Sequence, residues 1–291
     1  MRNNSRIPRI FIRSLILVIA IILMQCTTLQ DLANIQKPAV SVDNIRVSGL
    51  NFNGLDLLFD IGIENPNSLA VTMAGFNYEF YLNNQLFLQG SQDSTQSILA
   101  RSKSQLEIPL ALDFKKIYTT YQSLKDKDSS AYKMQLGLSF DLPVIGKTTI
   151  PLSKEGGIPL LKFPKISLAG LKLANLSLTT ASFELETKLE NPNNLNLIIN
   201  QFQYDLKIND KNWLTGVKNQ AQQINSKATQ SLKIPFSINF LEIGQSVYQA
   251  IKNNEALGYN FSGKINVGAP DLVLSTMDIP FVTNGSLSLK R

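Results

Sequence analysis

The chain has 291 residues, 28 basic side chains against 22 acidic ones, no histidine and one cysteine. Without histidine the usual general base, the Ser-His-Asp arrangement and the commonest zinc ligand are excluded. A single cysteine excludes an intrachain disulfide and a thiolate metal cluster. No glycine-rich phosphate loop occurs and the carboxylates are scattered singly, so no catalytic residue, metal site or cofactor is expected. A serine–lysine or two-carboxylate enzyme is the catalysis that composition leaves open.

Residues 1–25 read as a signal peptide. Arg2, Arg6, Arg9 and Arg13 form a positive head, and Leu15 to Met24 is an unbroken apolar run. Ten helical residues span about 15 Å, half of a ~30 Å hydrocarbon core, so the run suits a signal core better than a membrane span. Cys26 follows directly. Leu23-Met24-Gln25-Cys26 resembles the lipobox of bacterial lipoproteins, with Gln25 where that motif usually has Gly, Ala or Ser. The resemblance implies lipidation of Cys26 and a membrane as partner; the alternative is an unmodified cysteine ending an uncleaved anchor helix. Thr27, in place of an aspartate, implies the outer membrane of a bacterial envelope. Removing 1–25 leaves 24 basic against 22 acidic residues, so the basic balance belongs to the signal and no nucleic-acid partner is expected. Residues 27–37 form a tether.

From Pro38 to residue 155 the pattern is that of a β domain. Val40, Val42, Ile45 and Val47 begin a strand, Asn53-Gly54 signals a hairpin, and Leu55, Leu57, Phe59, Ile61 and Ile63 alternate as a strand with one buried face. Asn65-Pro66-Asn67 ends that strand: proline lacks the ladder N–H and the asparagines can bond nearby backbone. Val71, Met73, Phe76, Tyr78, Phe80 and Leu82 then form a strand, Asn83-Asn84 a turn, and Leu86 and Leu88 a strand closed by Gly90. Residues 91–104 are polar and predict a loop. Asp113 caps a helix carrying Phe114, Ile117, Tyr121 and Leu124 on one face, with Lys115-Lys116 on its solvated side. Asp126 and Asp128 lie in a polar loop. Tyr132, Met134, Leu136, Leu138 and Phe140 alternate as a further strand, and Ile150-Pro151-Leu152 belongs to the last.

Residues 156–163, with Gly156-Gly157 and Pro159, predict a short linker before Pro164. The pattern then repeats over 164–291. Glu190-Asn191-Pro192-Asn193 copies Glu64-Asn65-Pro66-Asn67 at an offset of 126, and aligning 64–90 on 190–216 gives ten identities in 27 positions. Tyr78 and Gly90 recur as Tyr204 and Gly216, and Ile108-Pro109 as Ile234-Pro235. Trp213 matches Phe87 and predicts core. Asn239, with Glu242 at the capping-box position, starts the second helix over Phe240, Ile243, Val247 and Ile251. The chain is one domain written twice.

The ordered set Asn-Pro-Asn, aromatic-x-Tyr, Gly and Ile-Pro, present twice, resembles the WHy (water stress and hypersensitive response) domain of the type 2 late embryogenesis abundant proteins. That resemblance implies a mainly β fold: two tandem immunoglobulin/fibronectin-III-like β-sandwiches, each with one short packed helix, and no enzymatic activity. It implies a stress-protective or structural role. The alternative is a binding module in the cell envelope, using sandwich end loops or a groove between repeats to hold a lipid, host molecule or partner protein. No residue identifies such a partner. Asn65, Pro66, Asn67, Tyr78, Gly90, Asn191, Pro192, Asn193, Tyr204 and Gly216 are then structural motif residues, with Tyr78 and Tyr204 burying their rings.

Overall fold

The computed structural model describes residues 34–253, 255–269 and 276–289. The signal peptide, Cys26 and most of the tether lie outside the described residues. The fold is mainly β. Its strands are β1 (Ala39–Leu50), β2 (Gly54–Glu64), β3 (Val71–Leu82), β4 (Gln85–Ile98), β5 (Lys103–Asp113), β6 (Ser129–Leu142) and β7 (Gly146–Pro159) in the first repeat. The second has β8 (Lys165–Leu176), β9 (Thr180–Glu190), β10 (Leu197–Ile208), β11 (Lys211–Lys218), β12 (Gln222–Ile224), β13 (Thr229–Asn239), β14 (Leu257–Gly268) and β15 (Met277–Leu287). Helix α1 spans Phe114–Thr120, α2 Phe240–Ile243 and α3 Gln245–Lys252.

The sheet orders show the duplication directly. β1-β2-β5 is answered by β8-β9-β13, and β4-β3-β6-β7 by β11-β10-β14-β15. β12 also pairs with β10, so β4 of one repeat corresponds to the two strands β11 and β12 of the other. The chain divides into two compact units. One contains the described residues up to Arg46, Leu57–Leu110 and Ser130–Ile158; the other contains Val47–Asp56, Ala111–Ser129 and Pro159 onward.

Within the first unit, Leu57, Phe59, Ile61 and Ile63 of β2 are all buried, as their alternation predicts, and so are Tyr132 to Phe140 of β6 at alternate positions. The Phe59 ring meets Tyr132 edge-on at 6.2 Å, and Phe80 of β3 stacks on the same tyrosine at 5.3 Å. Within the second unit, Phe183 of β9 lies 5.3 Å from Trp213 of β11, which is core as expected. Each such side chain withdrawn from water contributes about 1.5–3 kcal/mol. Thr187 of β9 is buried among apolar neighbours, and its hydroxyl donates to Leu232 O.

Three local expectations need correction. Residues 91–104 are mostly strand: β4 runs to Ile98 and β5 starts at Lys103. β4 is a sheet edge, where polar side chains are expected on a strand, and they hid it. The helices are also shorter than the apolar faces suggested. α1 stops at Tyr121, whose backbone leaves the helical region, and a 3₁₀ turn over Gln122–Leu124 brings Leu124 back into the core. In the second repeat Gly244, at φ 102°, divides one apolar stripe between α2 and α3; only glycine adopts that angle without strain. Asp113 caps α1 by accepting from Lys116 N at 2.9 Å, whereas Asn239 accepts from Leu241 N, one position short of the expected box geometry.

The turns repeat more closely than their residues. Asn83-Asn84 and Asn209-Asp210 both take paired left-handed angles, which suit a two-residue hairpin. After β1, Asn51 Oδ1 accepts from Asn53 N; after β8, Ser177 Oγ accepts from Thr180 N. An asparagine turn and a serine turn thus perform the same closure at positions 126 apart.

Candidate functional site

The repeated Asn-Pro-Asn corner is the most ordered polar feature of each unit. Asn65 is 0% exposed. Its Nδ2 donates to Leu69 O at 2.9 Å, Ile98 O at 3.2 Å and Leu99 O at 3.0 Å. Its Oδ1 accepts from Asn67 N at 3.0 Å and Asn67 Nδ2 at 2.9 Å. Asn67 in turn exchanges bonds with the backbone of Gln36, accepting from its N at 2.7 Å and donating to its O at 2.9 Å. One buried amide therefore ties the end of β2 to the end of β4, and the next ties it to the chain entering β1.

The second corner copies this bond for bond. Asn191, also 0% exposed, donates to Leu195 O, Ile224 O and Asn225 O and accepts from Asn193 N and Nδ2. Asn193 exchanges bonds with Lys162 N and O. Pro66 and Pro192 follow the asparagine just beyond each strand end, and Arg101 and Lys227 occupy left-handed turns whose N–H groups donate to Asn67 O and Asn193 O. With two amide protons shared among three carbonyls and the oxygen doubly occupied, no hydrogen-bonding capacity is left for a ligand. The motif is a clamp.

Tyr78 and Gly90 face each other across β3 and β4, as Tyr204 and Gly216 do across β10 and β11. Tyr204 is buried, while Tyr78 is half-buried. A Cβ on Gly90 would lie 2.8 Å from the Tyr78 ring, and one on Gly216 2.5 Å from the Tyr204 hydroxyl. Gly90 therefore does not close the strand; it sits inside β4 because the tyrosine ring occupies the space a side chain needs. Gly156 and Gly285 carry Tyr132 and Tyr259 in the same way, so Gly156 lies within β7.

Besides isolated surface pairs, the described residues hold two small charged networks. In the first unit Arg46 of β1 donates to Asp60 through Nε at 2.9 Å and Nη2 at 2.8 Å, and to Glu107 at 2.8 Å. Asp60 is only 4% exposed. The Arg46 guanidinium holds its carboxyl below the usual carboxylate range, against the opposing effect of burial. A folded pKa below the unfolded one stabilises the fold fully above the unfolded value and loses that contribution as pH falls through the folded value. Asp60→Asn is expected to lose stability most at neutral pH, with the gap to wild type narrowing below about pH 4. Urea unfolding across a pH series measures it, and a gap constant with pH would mean the ion pair is idle.

In the second unit Asp128 receives Lys162 Nζ at 3.1 Å and Lys227 Nζ at 2.6 Å. These hydrogen bonds, Lys227's first, keep its carboxyl low despite burial. Beside this pair lies a cavity of about 460 Å³, lined by Phe52, Phe114, Tyr118, Leu161 and Phe163. Phe52 stacks on Phe163 at 5.8 Å. The Tyr118 hydroxyl donates to Leu161 O at 2.9 Å, and burial, with help from the Asp128 charge, pushes its pKa up to about 12. Lys115, Lys125 and Lys162 also line it, with Asn53, Asp113, Thr119 and Gln122. Sequence reasoning missed this cavity; its signal was the apolar group Leu160, Leu161 and Phe163 between Pro159 and Pro164. Among the described residues no three His, Cys, Asp or Glu side chains converge as a metal site, and no helix is long and apolar enough to cross a membrane.

The duplicated sheets and asparagine clamps define a mainly β protein whose motif residues serve the fold. A family description, Late embryogenesis abundant protein (LEA_2), matches residues 60–156 and again 186–285, more than half of the chain. The chain belongs to that family. It is 28% identical over 131 residues to the desiccation-related protein PCC27-45 of Craterostigma plantagineum, covering 45% of this chain and 87% of the plant protein. It is 26% identical over 128 residues to the late embryogenesis abundant protein Lea14-A of Gossypium hirsutum, covering 44% and 85%. Among solved structures, that of AT1g01470 from Arabidopsis thaliana is similar at 26% identity and TM-score 0.37, covering 44% of this chain and 85% of its own.

Proposed function

We propose that this is a non-catalytic, stress-protective envelope protein of a bacterium, anchored through a lipidated Cys26. Its two WHy-type repeats are read as immunoglobulin/fibronectin-III-like sandwiches, spanning 38–155 and 164–291 and carried on the 27–37 tether. The observation that carries the non-catalytic part is the saturated hydrogen bonding of both Asn-Pro-Asn corners. The buried asparagines of the motif are spent on structure, which supports a non-catalytic reading. Desiccation-related relatives support the protective part. The charged head, the ten-residue apolar run and the adjoining cysteine support the anchor, because two or three acyl chains hold a protein on a bilayer where one does not. Thr27 after the cysteine supports the outer membrane.

The test is made in a bacterial host producing the full chain. Mass spectrometry of the membrane-bound protein is expected to show a mature N-terminus at Cys26 carrying acyl groups. Cells making wild type are expected to survive drying better than cells making Cys26→Ala. An unmodified Cys26 ends the lipoprotein reading, and equal survival with and without the wild-type protein ends the protective one.

A further inference from the structure

The cavity of the second unit differs in chemistry from the clamps and the ion-pair networks. Its apolar side is three phenylalanines, a leucine and a tyrosine whose hydroxyl is already bonded to Leu161 O. These apolar side chains adjoin polar ones, the three lysines among them, and about 460 Å³ lies within the ~300–1,000 Å³ usual for small-ligand pockets. Phe163 is the solvent-facing apolar side chain: it is 45% exposed, whereas Phe52, on which it stacks, is 1% exposed.

Charge around the cavity is one-sided. Lys115 and Lys125 are exposed, and among the described residues neither is held in an ion pair. Lys162 is paired, but its partner Asp128 is also held by Lys227 at the shorter distance. Lys162 can turn to a ligand without leaving Asp128 uncompensated, the costly outcome for a partly buried carboxylate. The one carboxylate in the lining, Asp113, accepts the helix-capping bond from Lys116 N. Three lysines in the lining outnumber its carboxylate Asp113 and the neighbouring Asp128, which disfavours a cationic guest and favours an anionic one.

We infer that this cavity binds a single-chain amphiphile with an anionic headgroup, its hydrocarbon tail against Phe163, over the floor that Phe52 and Phe114 form, and its headgroup among Lys115, Lys125 and Lys162. Carboxylate and phosphate headgroups share this chemistry. The inference is independent of the proposed anchor, since none of its residues lies near Cys26 in sequence and it holds for the free protein.

The full chain is titrated with 11-(dansylamino)undecanoic acid, which brightens in apolar surroundings, and the probe is then displaced by palmitate, lysophosphatidate or hexadecanol below their micellar concentrations. Saturable probe binding is expected, displaced by palmitate or lysophosphatidate; whichever displaces better identifies the headgroup source. The double variant Lys115→Glu/Lys125→Glu, which alters only exposed side chains, is expected to weaken the anionic ligands at least tenfold and hexadecanol hardly at all. Phe163→Asp is expected to weaken all three. Circular dichroism checks that both variants remain folded. Absence of saturable binding overturns the inference, as does affinity unchanged in both variants. Binding to anionic phospholipid vesicles without displacement by either monomeric amphiphile also overturns it, because the surface would then be reading a bilayer.

Discussion

Asn65→Ala is expected to cost about 3–5 kcal/mol of unfolding free energy, and Asn191→Ala about the same in the other unit. The magnitude follows from counting what the change strands. Three carbonyls lose their donor, and two donor groups of Asn67 lose their acceptor, around an asparagine with no exposure. A buried group left without a partner costs about 1–3 kcal/mol, and local rearrangement recovers part of the sum. Asn65→Asp separates hydrogen bonding from shape. A carboxylate of the same outline would face three carbonyl oxygens, which raises its folded pKa above the unfolded value. Its penalty is therefore full above the folded pKa and shrinks as pH falls toward the unfolded one near 3.9. Urea denaturation at pH 7 and at pH 4 measures both variants. If Asn65→Ala unfolds at the wild-type midpoint, the corner is ornamental and the account of the motif fails.

How much of this was legible beforehand depended on the range of the interaction. The alternation in β2 and β6 is a property of neighbours in sequence, and every apolar residue it placed inward is buried. The corner was legible as a corner for the same reason, since Pro66 flanked by two asparagines is a local turn signal. That Asn65 reaches Ile98 O and Leu99 O was not legible, because those carbonyls lie more than thirty residues on. Their position depends on the register of β4, a strand whose polar edge composition concealed it. Phe163 was hidden similarly: a phenylalanine between two prolines reads as connector until Phe52 stands opposite it. The duplication compensated in part. Where the copies use different residues for one closure, as Asn51 and Ser177 do, the shared geometry identifies which contacts the fold requires and which residues are interchangeable.

Gly216→Ala supplies a sharper test of the tyrosine–glycine pairs, because two opposed effects predict opposite signs. In a strand interior, alanine is ordinarily favoured over glycine by roughly 0.5–1 kcal/mol through lower chain entropy. Here the new methyl would lie 2.5–2.7 Å from the Tyr204 hydroxyl and ring, closer than van der Waals contact permits. Tyr204 has little room to retreat, being buried beside Phe202 at 5.2 Å. Overpacking of this kind costs about 1–3 kcal/mol, so the clash wins and the variant is expected to be less stable by about 1–2 kcal/mol. Gly90→Ala should cost less, since the half-buried Tyr78 can swing toward solvent. In a Tyr204→Ala background the sign reverses: with the ring gone, Gly216→Ala gains its entropic advantage and becomes neutral or stabilising. Thermal unfolding of the two single variants and the double variant gives the coupling directly. A coupling of zero would mean that glycine is kept at 216 for its backbone and not for the ring above it.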